Sequence, residues 1–344
     1  MRTERDKFMA HYRIHIVLLV LAAVLALTAC SQSTQTQEAE LTPIRVQLSW
    51  VHSIEFAGFY EAETSYYAEE GLDVTFLPAF DSEGTYYDAI EAVTSGSAEF
   101  GVLDAGALLA AREAGAKIVA IGTIYQRSPL AFTSLAEENI TRPEDLVGKT
   151  VMFSFLTSGV SYQAMLSSAG VDAASVNAID RTDYSIAPLL DGRADVIDGW
   201  VINEIVALEQ EGHQINIILV SDYGVEMYPN VIFTTEDLIA SNPDLVLRFL
   251  RATVRGMQDA VDNPEEAVRL TASYDPTLDP DVQLVAMQRS LPLLKPAGSV
   301  PGAMTDDAWT YIMQTLTAQE ILTEPLDVTQ AYTLQFLNEI YGSR

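Results

Sequence analysis

Few residues in this 344-residue chain are equipped for covalent or metal chemistry. Cys30 is the single cysteine, and only His52 and His213 follow it as histidines. A transition-metal site therefore has no obvious ligand set. No Gly-x-Ser-x-Gly elbow occurs, so a hydrolase serine has no strained turn to sit on. What remains is aromatic planes and hydrogen-bond acceptors. Trp50, Phe56, Tyr125, Trp200 and Tyr228 can stack on a flat ring. A well-formed aromatic pair contributes roughly 0.5–1.5 kcal/mol beyond area burial. Glu55, Asp104, Asn203 and Glu204 can accept hydrogen bonds from ring N–H groups or hydroxyls. This is equipment for binding.

The elements that must position these residues follow from hydropathy patterning. Residues 44–50 alternate apolar and polar and predict a strand. A helix is expected over 56–70, closed by Gly71, then a strand over 72–76 and a helix over 85–94. Residues 100–103 read as a buried strand, 105–114 as a helix and 117–125 as a strand. After Pro129 the rhythm restarts. Strands are predicted over 130–134, 148–153, 194–197 and 215–220, helices over 158–169 and 186–191, and a helical turn over 142–146. Alternating strands and helices mean parallel sheets of an α/β fold. An internal echo supports two related lobes: Ser95-Gly96-Ser97-Ala98-Glu99-Phe100-Gly101 parallels Asp191-Gly192-Arg193-Ala194-Asp195-Val196-Ile197. From Thr235 on the chain reads as helical, with starts marked by Asn242-Pro243, Asn263-Pro264 and Thr305-Asp306-Asp307. These helices are expected on the outside of the first lobe.

Composition narrows the ligand. The chain is 49% hydrophobic and 19% charged, enough to bury a sizeable core. A net charge of −29 argues against nucleic acid, and against small anions unless a local basic clamp overrides the field. The alternative reading of the acidity is solubility alone. At the N-terminus, Arg2, Arg5, Lys7 and Arg13 precede an apolar run over residues 16–27. These 12 residues are too short for a bilayer span, which takes about 20, and match a signal-peptide core. The run ends in Leu27-Thr28-Ala29-Cys30, which resembles a bacterial lipobox. Residues 1–29 are thus expected to be a lipoprotein signal peptide, Cys30 the lipidated membrane anchor on the extracytoplasmic face, and residues 30–43 a tether. Ordinary secretion with cleavage after Ala29 is the alternative. A lone cysteine permits no disulfide within the chain.

Taken in order, several stretches resemble the NMT1/THI5-like family of periplasmic binding proteins. They are Trp50, Ala57-Gly58-Phe59-Tyr60 and Gly71-Leu72-Asp73-Val74, then Ser95–Gly101, Asp145-Leu146-Val147-Gly148-Lys149, and Asn242 to Gly256. The resemblance implies a type II periplasmic-binding-protein fold: two α/β lobes, two crossing segments and a helical C-terminal region. Lobe one is expected over 44–127 plus 231–344 and lobe two over 128–230, with crossings near Gln126–Pro129 and Tyr228–Asn230. It further implies a monomer without enzyme activity or cofactor, whose partners are a small-molecule ligand and an ABC permease with its ATPase. Ligands known in the family are thiamine-pyrimidine precursors and, in one branch, riboflavin. Family enzymes of thiamine-pyrimidine synthesis use a cysteine-rich iron motif, for which this chain has no residues.

The resemblance puts the ligand in the interlobe cleft, at the C-terminal ends of the parallel strands. Trp50 is expected there, with a core position as the alternative. Pyrimidine-binding relatives carry a His before the Ala-Gly step; this chain has Phe56, which favours riboflavin over an aminopyrimidine. Gly58 would let a helix N-terminus approach ligand, with Tyr60 just after it. Asp81 and Tyr86 flank the second strand–helix loop. Asp104 follows the third strand, with helix capping as the alternative. In lobe two, Phe155 and Ser158 surround a strand-to-helix turn, and Trp200, Asn203 and Glu204 follow a strand, Trp200 facing Trp50. Tyr125 and Tyr228 stand at the crossings. Arg127 is the only cation expected at the cleft, so anions rank low.

Overall fold

The computed structural model describes residues 41–155, 157–182, 185–324 and 326–342. The signal-peptide reading and the Cys30 anchor lie outside the described residues. Among the described residues, ten strands form two five-stranded mixed sheets. The strands are β1 (Thr42–Gln47), β2 (Leu72–Leu77), β3 (Phe100–Leu103), β4 (Ile118–Thr123), β5 (Leu130–Leu135), β6 (Thr150–Phe153), β7 (Asn177–Asp180), β8 (Val196–Trp200), β9 (Ile215–Leu219) and β10 (Val231–Thr235). The first sheet runs β2-β1-β3-β10-β4 and the second β7-β6-β8-β5-β9. In each, one inserted strand runs against its neighbours: β10 is antiparallel to β3 and β4, and β5 to β8 and β9.

That insertion decides where the two sheets meet. Val231, the first residue of β10, pairs with Leu103 and Thr123, the last residues of β3 and β4. Leu130, the first residue of β5, pairs with Trp200, the last of β8, and Leu219 at the end of β9 pairs with Ala131. Each crossing, β4 to β5 and β9 to β10, therefore runs from the C-terminal end of one strand to the start of an inserted antiparallel strand, and links the edges of the two sheets where the parallel strands end. The crevice between lobes is where those ends face each other, the usual ligand position in open α/β sheets.

The internal echo is real in three dimensions. Gly96 and Gly192 each end a helix with positive φ, 79° and 75°. The acid three residues later then clamps the neighbouring strand. Glu99 accepts the Arg45 N–H at 2.7 Å, and Asp195 accepts the Thr150 N–H at 2.7 Å. Each lobe thus repeats one device: helix, glycine stop, acid on the adjacent strand, buried strand.

Several elements depart from the sequence reading. The helix expected over 56–70 is broken into a 3₁₀ turn Ile54–Phe56 and helices Ala57–Glu63 and Tyr66–Glu69. The helix expected from residue 85 starts at Ala89, because Asp88 caps it through the Glu91 N–H at 2.8 Å and Tyr86 instead bridges to Phe80. Strands β7 and β10 and the helix Glu204–Gln210 were not expected. β7 is exposed along its whole length and shows no alternation, and β10 is a short apolar run lying against the direction of its neighbours.

After the short helix Glu236–Ser241, the C-terminal helices are Pro243–Asp262, Pro264–Tyr274, Pro280–Leu294, Asp306–Ala318 and Gln335–Tyr341. Asn242 caps the first of them, with Pro243 at its first position. Its buried stripe includes Leu245, Phe249, Thr253, Gly256, Met257 and Ala260, the spacing of an amphipathic helix. The stripe packs on Ala57–Glu63. The extension is not confined to lobe one. Arg289 pairs with Glu209 at 2.5 Å, and the Gln319 amide donates to the Val160 carbonyl at 3.0 Å, so two of its segments hold lobe two as well.

Candidate functional site

On the lobe-one side, the ends of β1, β2 and β3 carry Trp50, Phe80 and Asp104. Trp50 is 43% exposed and meets Phe80 edge-on at 5.4 Å. Tyr86, 58% exposed, tilts against the same Phe80 at 5.3 Å. Three aromatic rings thus form an open ledge past the C-terminal ends of β1 and β2. Asp81 shapes the loop that holds it. Its carboxylate accepts from the Glu83 and Thr85 N–H groups and the Tyr87 hydroxyl, so it serves the turn instead of offering a free acceptor. Asp104 caps the helix Ala105–Glu113, accepting from the Gly106 and Ala107 N–H groups. Asp104 is itself exposed, and those two N–H groups favour its ionised form.

On the lobe-two side, a buried ionic network ties the strand ends together. Arg181, one residue past β7, donates to Asp198 Oδ1 at 2.7 Å, to the Asp198 carbonyl and to the Ser185 carbonyl at 2.9 Å, and stands 3.6 Å from Glu204. Asp198 Oδ2 accepts from the Ser154 N–H at 3.1 Å and the Ser158 hydroxyl at 2.5 Å. Glu204 accepts the Trp200 N–H at 2.9 Å; burial raises its carboxyl, and Arg181 opposes that rise. One guanidinium therefore fixes the ends of β6, β7 and β8 and the starts of two helices. Phe155, 49% exposed, lies on Phe153 at 4.9 Å beside this network. Asn203 is exposed at the start of the helix Glu204–Gln210.

Sequence reasoning missed Arg181 and Asp198, and Arg127 is not the only cation near the crevice. Arg181 was hidden because β7 gives no strand signal to place it. Its charge is already met by two carboxylates, so it offers no vacant clamp for an anion. Arg127 itself pairs with Asp222 at 2.6 Å.

Other expected site residues lie in the protein interior. Gly58 does not bring a helix end to the crevice. A Cβ there would stand 2.6 Å from Met257 Cγ and 2.8 Å from Met257 Cα, so the glycine allows two helices to cross. Tyr60 is fully buried, stacked on Tyr274 at 4.1 Å, with its hydroxyl 2.9 Å from His52 Nδ1. Phe56 is buried and stacked on Phe59 at 6.2 Å, so it builds core and no crevice wall. Glu55 is buried beside a small apolar cavity of about 20 Å³ lined by Phe56, Phe59, Ile124, Met257 and Leu294. Its Oε1 has no partner, and burial pushes its carboxyl up to about 8.

At the crossings, Tyr125 is buried, bonds Ser290 at 3.1 Å and meets Trp200 edge-on at 5.9 Å. It is Tyr125, then, that supports the Trp200 ring. Tyr228 is buried against Trp309 at 6.0 Å and accepts the Thr305 N–H at 3.1 Å. Among the described residues, no three His, Cys, Asp or Glu side chains gather as a metal site.

Two α/β lobes, two crossings and a crevice between strand ends define a solute-binding-protein fold. The NMT1/THI5 like family model matches residues 53–267, and the chain belongs to that family. It is 30% identical to the riboflavin-binding protein RibY of Chloroflexus aurantiacus over 94% of this chain and 98% of that protein. It is 29% identical to a formylaminopyrimidine-binding protein of Halalkalibacterium halodurans, over 92% of this chain and 97% of that one. Among solved structures, the periplasmic aliphatic sulphonate binding protein SsuA of Escherichia coli superposes with a TM-score of 0.66 at 16% identity, covering 84% of this chain and 91% of that one.

Proposed function

We propose that this protein captures a flat, uncharged heteroaromatic vitamin, riboflavin before an aminopyrimidine, and delivers it to an ABC permease and its ATPase. The observation that carries the reading is the set of exposed aromatic rings at crevice-side strand ends, Trp50 and Tyr86 on one lobe and Phe155 on the other. Large exposed rings suit a flat aromatic solute that can stack on them. The compensated Arg181 argues against a sulfonate. Binding is capture without turnover. Residues 1–29 act as a signal peptide and Cys30 carries the lipid that keeps the protein at the extracytoplasmic face of the membrane. The aminopyrimidine reading is the second choice, favoured by the formylaminopyrimidine-binding relative.

Calorimetry with riboflavin and with formylaminopyrimidine on the same protein decides between them. Riboflavin is expected to bind with quenching of its fluorescence. Heat from the pyrimidine alone would replace the flavin reading with the second one. No heat from either would remove both. Fractionation of a Cys30→Ser variant tests the anchor: the variant should leave the membrane fraction, and unchanged retention would overturn it.

A further inference from the structure

The second crossing carries a buried acceptor with nothing to accept. Asn230 sits on the second crossing, directly before Val231, the β10 residue paired with the ends of β3 and β4. It is 2% exposed. Its backbone is pinned: the carbonyl accepts from the Ile124 N–H at 2.8 Å and from the Thr123 hydroxyl at 3.1 Å. Its side-chain amide donates to the Ser49 hydroxyl at 3.1 Å, next to Trp50. The side-chain oxygen, Oδ1, has no partner.

An unpartnered buried carbonyl oxygen is costly and is rare in folded proteins. Of the other buried unpartnered groups, Arg112 and Trp309 pack among the helices of lobe one, Glu55 has its own cavity, and Ser221 follows a strand end of lobe two, as the bonded Arg181 does. Asn230 stands at the strand ends, between the Trp50 turn and the neighbourhood of Asp104, since the Ala105 N–H bonds the Tyr228 carbonyl at 2.9 Å. It also rides on a segment that joins the lobes, so parting the lobes gives access to it.

We infer that Asn230 reads the edge of the captured ring, its Oδ1 accepting a ring or exocyclic N–H of the ligand while Ser49 holds its amide. The inference rests on the heteroaromatic reading above and names the residue that would make it selective. It predicts preference for rings with an N–H at the buried edge over the same rings N-methylated there.

The experiment compares riboflavin with its 3-N-methyl analogue by calorimetry, on the wild-type protein and on Asn230→Ala. Formylaminopyrimidine and an N-methylated counterpart replace them if the flavin does not bind. The wild type should favour the N–H form by about tenfold or more, the usual scale of one buried hydrogen bond to a neutral group. Asn230→Ala should bind both forms with nearly equal affinity. A wild type that binds a ring but ignores methylation overturns the inference and leaves the heteroaromatic reading standing, as does an Asn230→Ala variant that keeps the full preference. Failure of every ring to bind the wild type removes the reading and the inference together. The wild-type comparison needs no variant, so it decides the matter even if Asn230→Ala does not fold.

Discussion

Gly256 faces Gly58 so closely that a methyl group on Gly256 would lie 2.2 Å from the Gly58 carbonyl oxygen. The contact joins the long C-terminal helix to the first helix of lobe one, backbone against backbone. No side-chain rotation relieves such a clash. Gly256→Ala should therefore force the helices apart and cost at least about 1–3 kcal/mol, read as a lower denaturant midpoint. Gly159→Ala is the control: nothing stands within 4 Å of its added carbon, and a helical glycine replaced by alanine should be neutral or mildly stabilising. Equal effects at both sites would refute the crossing argument.

Glu55 gives a pH dependence with a definite sign. Burial pushes its carboxyl from 4.5 to about 8 in the folded protein. Below the unfolded value both states hold the proton and nothing changes. Between roughly 4.5 and 8 the unfolded chain ionises while the folded protein stays neutral, so stability falls as pH rises. The slope contributed is about 1.4 kcal/mol per pH unit. Above about 8 both states are ionised and the loss levels off. Glu55→Gln should lack this slope and melt higher than the wild type at pH 8, with the two converging near pH 4. Parallel melting curves across that range would count against a buried neutral acid.

Asp198 and Arg181 should behave as one unit. Asp198→Leu removes the carboxylate 2.7 Å from the buried guanidinium, and Arg181→Met leaves the carboxylates of Asp198 and Glu204 buried without it. Each single change should cost about 3–5 kcal/mol, as when one partner of a buried pair is removed. The double variant should cost clearly less than the sum, which a double-mutant cycle in urea would measure. Simple additivity would mean that the network is not coupled.

Trp50 and Trp200 should separate binding from stability. Trp50 is exposed, so Trp50→Ala should weaken ligand binding by roughly 1–3 kcal/mol while moving ligand-free stability by about 0.5 kcal/mol or less. Trp200 is half-buried on Tyr125, so its loss should reduce both. Titration and melting on the same samples check the contrast; a Trp50→Ala variant with full affinity would remove that ring from the site.

How far the sequence reveals this molecule depends on whether a residue's role is local. Gly96 with Glu99 and Gly192 with Asp195 are legible because helix stop, acid and apolar strand adjoin in the chain, and the acid acts on the next strand in both lobes. Trp50 is legible as a strand-end residue for the same reason. Arg181 is not, because β7 is an exposed edge strand whose residues carry no alternation to place it. Gly58 and Tyr60 mislead in a different way. Their motif is set by partners two hundred residues away, Met257 and Tyr274, and only the folded chain shows that they build a helix crossing and an aromatic core. Asn230 is invisible for want of any pattern, since its importance is a missing bond.

The bonds of the C-terminal helices to lobe two change the mechanics of the crevice. A swing of one sheet away from the other must work against Arg289–Glu209 and against Gln319 on Val160, on top of the two crossings. The joint is thus a linkage with a return spring, and part of that spring is a partly exposed ion pair that salt weakens. Raising the ionic strength is therefore expected to ease the parting of the lobes.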